Sequence, residues 1–375
     1  MPTTARRLTP ARAASFMLCN LGAAVIAVVI GVVVVLVFRY AAADRSLFMS
    51  DSARTLPSAY RSTSWVEQVA AKVLPSVVTL QFSDGNRSLS GSGIILTSDG
   101  VIMTNNHVAA GIGSGPQALV RAVVTFNDGR TAPADLIAAD PRSDVAIVRA
   151  RDISGLMPVS IGSSANLRVG QPVVAVGSPL GLRGTVTAGI VSAVNRLVCP
   201  ATGRENPSAF YAVQTDAAIN PGNSGGALVD TDGELVGMNA AESVVISADD
   251  SNNTEHGSIG LGFAIPVDHA ARIAAELVAT GRASHGWLGA QVSSDMDPYG
   301  AKIIGVQGGS PAEAAGLTVG AQVTKLNDQP IGSGETLLAA VQSMEPGARV
   351  TLGFTDSSGS TRTVQVNLSS DRGRQ

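Results

Sequence analysis

Between positions 77 and 265 the chain is cut into short apolar runs by hairpin-favouring turns, and this pattern limits the fold more than any other feature. The runs are 77–82, 92–96, 101–104, 120–126, 145–149, 173–177, 187–194, 211–214, 227–229, 235–239 and 261–265. Asp84-Gly85-Asn86, Ser98-Asp99-Gly100, Asn127-Asp128-Gly129 and Asp232-Gly233 stand between them. Asp-Gly pairs supply the positive φ that tight hairpins need. Helical periodicity does not intervene, which argues against βαβ units and for barrels or a sandwich. About 200 residues of this pattern can hold two small barrels. Frequent glycine (41) and a charged fraction of only 15% agree with a mostly β protein. Two helices flank the series. Residues 65–73 place Trp65, Val66, Val69 and Val73 in one stripe that stops at Pro75. Residues 267–280 repeat Ala270, Ile273, Ala274, Leu277 and Val278 on one face.

Residues 16–38 carry no charge and are apolar almost throughout from 25 to 37. About 20 such residues in a helix cross a bilayer core, so a transmembrane helix is expected at 16–38. A tail at 1–15 would precede it and a stalk at 39–63 would follow. A cleaved signal peptide is the rival reading, because Ala41-Ala42-Ala43 offers small residues. Arg6, Arg7 and Arg12 precede the span, while Arg39, Arg45 and Arg54 follow it with Asp44 and Asp51. That balance leans toward a cytoplasmic N-terminus. The expectation is a single-pass protein of the cell membrane, holding the lipid bilayer through 16–38, with the remainder outside the cytoplasm. A net charge of −3 gives no electrostatic case for nucleic acid as a partner. Cys19 and Cys199 form neither a disulfide pair nor a metal site under this topology. His256, His269 and His285 show no ligand spacing, so no metal and no organic cofactor is expected.

Three polar segments suggest chemistry. In Asn220-Pro221-Gly222-Asn223-Ser224-Gly225-Gly226 a serine is flanked by glycines at −2, +1 and +2. Such a turn can present a hydroxyl together with backbone N–H groups aimed at a developing negative charge. Taken alone, it also reads as a surface turn. His107 follows an apolar run in Thr104-Asn105-Asn106-His107-Val108, and alone it reads as structural. Asp144 opens another run in Asp140-Pro141-Arg142-Ser143-Asp144-Val145, and alone it reads as a turn aspartate. Together they stand in the order His107, Asp144, Ser224, which is that of double-barrel serine peptidases. Histidine, with an ordinary pKa of about 6.5, can take the serine proton and return it to a leaving amine. Asp144 would orient the imidazole and stabilise its charged form, and the amides of Gly222 and Ser224 would meet the oxyanion.

With these residues in view, the chain resembles the HtrA (Deg) family of trypsin-like serine proteases. The resemblance rests on Gly91-Ser92-Gly93-Ile94-Ile95, Thr104-Asn105-Asn106-His107-Val108, Asp144-Val145-Ala146, the stretch 214–226 and Gly262-Phe263-Ala264-Ile265-Pro266. It covers roughly residues 66–370. It implies two six-stranded barrels of the chymotrypsin/trypsin-like kind over 64–281, with catalysis in the cleft between them. It also implies that loops 195–209, 219–223 and 242–259 switch the site, and that the protease domains form a homotrimer. The S1 base falls at Ala218, beside Ile219; without an acid there, small or medium aliphatic P1 residues are expected. Gly260, Leu261, Gly262, Phe263 and Ala264 are expected to form the strand that pairs with substrate.

After a hinge at Gly281-Arg282-Ala283-Ser284, residues 284–369 mix strand and helix signals on the scale of one small domain. A polar tail, 370–375, ends the chain. Gly286-Trp287-Leu288-Gly289 and Gly308-Gly309-Ser310-Pro311-Ala312-Glu313-Ala314-Ala315-Gly316-Leu317 resemble the carboxylate-binding loop and helical signature of a PDZ domain. The resemblance implies an α+β domain that binds peptide C-termini by strand addition. Trp287, Leu288, Gly289 and Ala290 would form the groove, faced by Leu337 and Val341; for these last two, plain core packing is an equal reading. The function implied is a membrane-anchored serine endopeptidase acting on misfolded or damaged exported polypeptides. The alternatives are a regulatory protease cutting one membrane or signalling protein, and a chaperone or scaffold that does not need its serine.

Overall fold

The computed structural model describes residues 64–83, 88–110, 121–178, 184–198, 210–240, 258–293 and 300–372, together with residue 32. The chain divides into two units, Met1–Ser62 and Thr63–Gln375, and the second carries the architecture that follows. The expected span at 16–38 lies outside the described residues apart from residue 32. Among the described residues no helix is long and apolar enough to cross a membrane. The longest described helix in the second unit, Val267–Thr280, has 14 residues. That is about 21 Å of rise against a hydrocarbon core of about 30 Å. Over the described residues the fold is therefore corrected to a mostly β double barrel followed by a small α+β domain, with no transmembrane helix among them. Cys19, Cys199 and His256 also lie outside the described residues, as do 199–209 and 241–257 of the expected switching loops.

Helix α1 (Trp65–Val73) starts in a capping box. The Glu67 amide donates to Ser64 Oγ at 3.2 Å, and the Ser64 amide donates to Glu67 Oε2 at 2.9 Å. Its Val69 and Val73 enter the core, whereas Trp65 stays largely exposed. The first barrel follows: β1 (Val77–Ser83), β2 (Ser88–Ile95), β3 (Val101–Asn105), helix α2 (Asn106–Ala110), β4 (Arg121–Thr125), β5 (Thr131–Asp140) and β6 (Val145–Ala150). The strands close in the order β1-β2-β3-β6-β5-β4. Leu80, Phe82, Ile102, Val124 and Val148 fill its interior. Strands β3 and β6 are buried on both faces, because Val101, Met103, Val145 and Ile147 point the other way, into a core shared with the second barrel.

The second barrel comprises β7 (Ser160–Ile161), β8 (Pro172–Gly177), β9 (Thr185–Val198), β10 (Phe210–Thr215), β11 (Ala227–Val229), β12 (Glu234–Ala240) and β13 (Gly262–Pro266). Their order is β11-β8-β9-β10-β13-β12-β7, and a β11–β12 pairing joins the ring. Helix α3 (Val267–Thr280) then packs Val267, Ala270, Ile273, Ala274 and Leu277 into the shared core. It ends at Gly281, whose φ of 71° is left-handed and whose amide caps the Leu277 carbonyl at 2.9 Å. Val278, expected on the same face, is half exposed.

The C-terminal part contains β14 (Gly286–Trp287), β15 (Ala290–Val292), β16 (Ala301–Val306), α4 (Pro311–Ala314), β17 (Gln322–Leu326), β18 (Gln329–Pro330), α5 (Gly334–Gln342), β19 (Arg349–Thr355), β20 (Thr361–Asn367) and β21 (Ser369–Ser370). The main sheet runs β15-β16-β17-β19-β20, which leaves β15 at an edge. Leu197 and Tyr211 of the second barrel pack against this domain's core.

Candidate active site

The seam between the barrels brings the three polar segments together. His107 lies in the single turn of α2 that follows β3. Asp144 ends the turn before β6 with a φ of 57°, a left-handed conformation unusual for a residue with a Cβ. Neighbours hold it there: the Asn106 amide and the Asn105 side-chain amide donate to its backbone carbonyl at 3.0 and 3.1 Å. Its carboxylate takes His107 at two points. Oδ1 accepts the His107 backbone amide at 2.9 Å, and Oδ2 lies 2.8 Å from Nδ1. At 2% exposure Asp144 meets almost no water, so the pair is a fixed dipole. A carboxylate can only accept, so the ring proton belongs on Nδ1 and Nε2 becomes the basic nitrogen.

Ser224 is buried in the turn that enters β11. That turn is stitched to β2 by Ser92, a residue the motif contains but to which sequence reasoning assigned no task. The Ser92 amide donates to the Ser224 carbonyl at 2.8 Å, and its Oγ donates to the Gly222 carbonyl at 2.7 Å. The same Oγ accepts the Ser178 amide at 2.7 Å, and the Ser92 carbonyl accepts Thr104 Oγ1 at 2.7 Å. Gly91 explains the closeness: a Cβ there would sit 2.6 Å from Val108 Cγ1 and 3.2 Å from the Ser224 carbonyl. Only glycine lets the His107 helix and the Ser224 turn share that space. Gly222 (φ 93°) and Gly225 (φ 81°) take left-handed conformations. The amides of Asn223, Gly225 and Gly226 donate to the carbonyls of Asn220, Asn239 and Asn223, each at 2.9 Å. They are thereby excluded as oxyanion donors, and the expected pair, Gly222 and Ser224, flanks Asn223.

The expected S1 residues lie below this turn. The Ala218 carbonyl accepts Thr187 Oγ1 at 3.0 Å and Asn223 Nδ2 at 3.4 Å. Ile219 is buried in the second barrel's core, and a Cβ on Gly262 would lie 2.6 Å from its Cγ1. Asp216, two positions before Ala218, accepts the Ile190 amide at 2.7 Å. The expected substrate strand is already paired on both sides at Phe263 and Ala264. Gly260 and Leu261 precede β13, and Gly262, Phe263 and Ala264 lie inside it. On one side Gly262–Ala264 pair with β10; on the other, Phe263 and Ala264 pair with Ala240 and Asn239 of β12. An interior strand has no edge to offer a peptide. Strand β12 does better: Asn239 is bonded to Gly225 and Gly226, and Ala240 comes next, where among the described residues the strand register pairs it on its β13 side alone.

In the C-terminal domain a cavity of about 260 Å³ is lined by residues of both expected segments. Trp287, Leu288, Gly289 and Ala290 lie on one side, with Leu337 and Val341 of α5 on the other. Leu288, Leu337 and Val341 are only 5%, 1% and 3% exposed and belong to the domain core while also lining the cavity. Gly289 has a φ of 77°.

A buried polar cluster, absent from the sequence reading, joins this domain to the turn holding Asp144. The His285 side chain is 3% exposed. Its Nδ1 lies 2.9 Å from the Gln342 carbonyl, and its Nε2 lies 3.0 Å from Asp140 Oδ2 on a bent line. Both nitrogens face acceptors, so the imidazolium is the form that fits. Burial opposes that charge, but the Asp140 bond and charge outweigh it and raise the His285 pKa. Burial likewise works against the Asp140 carboxylate, yet His285 and Ser143 hold its pKa below the usual range. Nearby His269 has no such partner, and burial pushes it down to about 4. Among the described residues no cluster of His, Cys, Asp or Glu is arranged to hold a metal.

Comparison with known proteins agrees with this geometry. The family profile "Trypsin-like peptidase domain" matches residues 91–238, and the profile "PDZ domain" matches 286–368. Serine protease PepD of Mycobacterium tuberculosis is 54% identical over 323 residues, covering 85% of this chain and 69% of that protein. The chain belongs to the HtrA/DegP family of trypsin-like serine proteases. It is a serine endopeptidase of that family. Periplasmic serine endoprotease DegP of Escherichia coli is 38% identical over 289 residues, covering 74% of this chain and 56% of that protein. The chain thus spans about half the length of the DegP relative. Among solved structures, the HtrA-type protease AlgW with decapeptide superposes with a TM-score of 0.56 at 27% identity, covering 81% of this chain and 98% of that one. The serine endoprotease from Yersinia pestis gives 0.51 at 31%, covering 81% and 97%. The DegP relative is named for the periplasm. The expectation of a membrane-anchored, single-pass protein with a cytoplasmic N-terminus and the lipid bilayer as partner is corrected on that ground, together with the lack of a spanning helix among the described residues.

Proposed function

We propose that this enzyme cleaves unfolded or damaged exported polypeptides in the periplasm, with His107, Asp144 and Ser224 as its triad. The observation that carries the reading is the two-point hold of Asp144 on His107, at 2.9 and 2.8 Å, beside a Ser224 turn stitched to the same barrel. Ser224 Oγ attacks the scissile carbonyl and its proton passes to His107 Nε2. The oxyanion is met by the Gly222 and Ser224 amides, each such donor being worth about 2.7–4 kcal/mol. His107 then gives the proton to the leaving amine, and water, activated by the same nitrogen, hydrolyses the acyl-enzyme. Ala218 and Ile219 receive a small or medium aliphatic P1 side chain. The backbone of Ala240, rather than β13, aligns the substrate.

The C-terminal cavity takes peptide C-termini along the edge of β15. The protease domain occupies 64–281 and the PDZ domain 284–369, with 370–375 as a tail. The test is hydrolysis of casein by the full chain and by its Ser224→Ala variant. Cleavage that vanishes in the variant supports the proposal; equal cleavage by both, or none by either with peptide present, overturns it.

A further inference from the structure

The cavity between β15 and α5 has a wall from outside its own domain. Among its described lining residues there is one cation, Arg142, and one anion, Asp371. Arg142 belongs to the turn between Asp140 and Asp144, in the first barrel. Its Nη1 lies 2.5 Å from Asp371 Oδ2. Asp371 is itself tied down, accepting the His285 amide at 3.0 Å and donating its own amide to the His285 carbonyl at 3.2 Å. Both residues share the cavity with Gly286, Trp287 and Gln342, at the end where α5 finishes and β15 has yet to begin.

A peptide added to the edge of β15 would bring a terminal carboxylate to this end. The loop 286–289 is the expected seat of such a charge, but two neighbours oppose it: the C-terminus of α5 carries partial negative charge, and Asp371 carries a full one. A guanidinium is the group that reverses this, because its planar fork matches a carboxylate. We infer that Arg142 binds the terminal carboxylate of the peptide held in this groove, exchanging it for Asp371, which stands in for the ligand's charge until it arrives. The inference rests on the groove being a peptide site. It makes the turn that holds Asp144 part of the ligand's binding surface. The ligand it specifies is a peptide with a free carboxylate and an apolar last side chain, the latter to meet Leu288, Leu337 and Val341.

The experiment measures binding of a fluorescein-labelled decapeptide ending in valine, as free acid and as C-terminal amide. The full chain carries Ser224→Ala so that the probe is not cut. Arg142→Gln should weaken the free acid about tenfold or more and leave the amide within about twofold. Asp371→Asn should tighten the free acid several-fold, an effect of opposite sign that a folding defect cannot mimic. If Arg142→Gln keeps the wild-type preference for free acid over amide, or Asp371→Asn weakens the free acid, the assignment of Arg142 is wrong while the groove stands. If the parent protein binds neither probe, the groove reading fails and this inference with it.

Discussion

Replacing His285 with phenylalanine should turn a pH-dependent stability into a flatter one. In the native protein His285 bridges the Asp140 carboxylate and the Gln342 carbonyl from a nearly dry position. Phenylalanine keeps the ring but leaves Asp140 with Ser143 as its remaining donor in that cluster. Removing one member of such a buried pair costs about 3–5 kcal/mol. The sign of the pH dependence follows from the raised His285 pKa. Between about 6.5 and that raised value the native state binds more protons than the unfolded state, so stability falls as pH rises. The contribution is complete below about 6.5 and is lost as pH climbs through the native pKa. One proton limits the slope to about 1.4 kcal/mol per pH unit. His269, held down to about 4, acts in the opposite sense and in another window. There the unfolded state holds the extra proton, so stability rises from pH 4 toward 6.5. Asp140, with a lowered pKa, likewise adds stability above about 3.8 and loses it in stronger acid. A comparison made above pH 6.5 is therefore free of both. The assay is urea unfolding of wild type and His285→Phe at intervals from about pH 6.5 to 9, followed through Trp287 beside the cluster. The free-energy gap between the two should be widest at the acid end of that range and narrow upward. A gap that stays constant across the range would show that His285 is neutral in the folded protein and that the cluster is held by packing alone.

Other substitutions test the site from different sides. Asp144→Asn removes the acceptor that sets the His107 tautomer, and kcat should fall by about 10³–10⁴ with little change in KM, as read by steady-state hydrolysis of a peptide amide. Ser92→Ala frees the Gly222 carbonyl and the Ser178 amide from their shared partner. We expect kcat to fall about tenfold while the unfolding midpoint moves by the equivalent of about 1–3 kcal/mol. Gly225→Ala places a Cβ against the Ser92 carbonyl and Thr104 Oγ1 at a left-handed φ. Activity should vanish on casein while circular dichroism shows the barrels still folded. Ala218→Asp puts an acid where the S1 base is expected, and the ratio of kcat/KM for a P1 arginine substrate over a P1 valine substrate should rise at least tenfold.

How far this could be read in advance depended on where each residue's partners lie along the chain. Helix α3 was legible because its stripe of Ala270, Ile273, Ala274 and Leu277 is a local repeat, and only Val278, at the margin of the stripe, turned out half exposed. The proposed triad could be put forward because three residue types in one order suggest a reaction, whatever the distances between them. Strand β5 (Thr131–Asp140) was not read as a strand, since Pro133 and a run of alanines blur its alternation; its partners β4 and β6 hold it in place. The interior position of β13 could not be seen either. Gly262-Phe263-Ala264 looks the same at an edge or in a sheet, and β10 and β12 decide the matter. The 16–38 run is apolar locally, whereas helices α1 and α3 of the described fold are short amphipathic ones whose apolar faces enter the core shared by the barrels. Charged residues were hardest of all. Asp140 and Arg142 were given no role from the sequence, and nothing near them discloses partners at His285 and Asp371, the latter 229 positions away. A hydrophobic side chain needs only some apolar surface, and many arrangements supply it. A buried ion needs one particular partner, so its purpose becomes visible only once the barrels and the C-terminal domain have brought that partner to it.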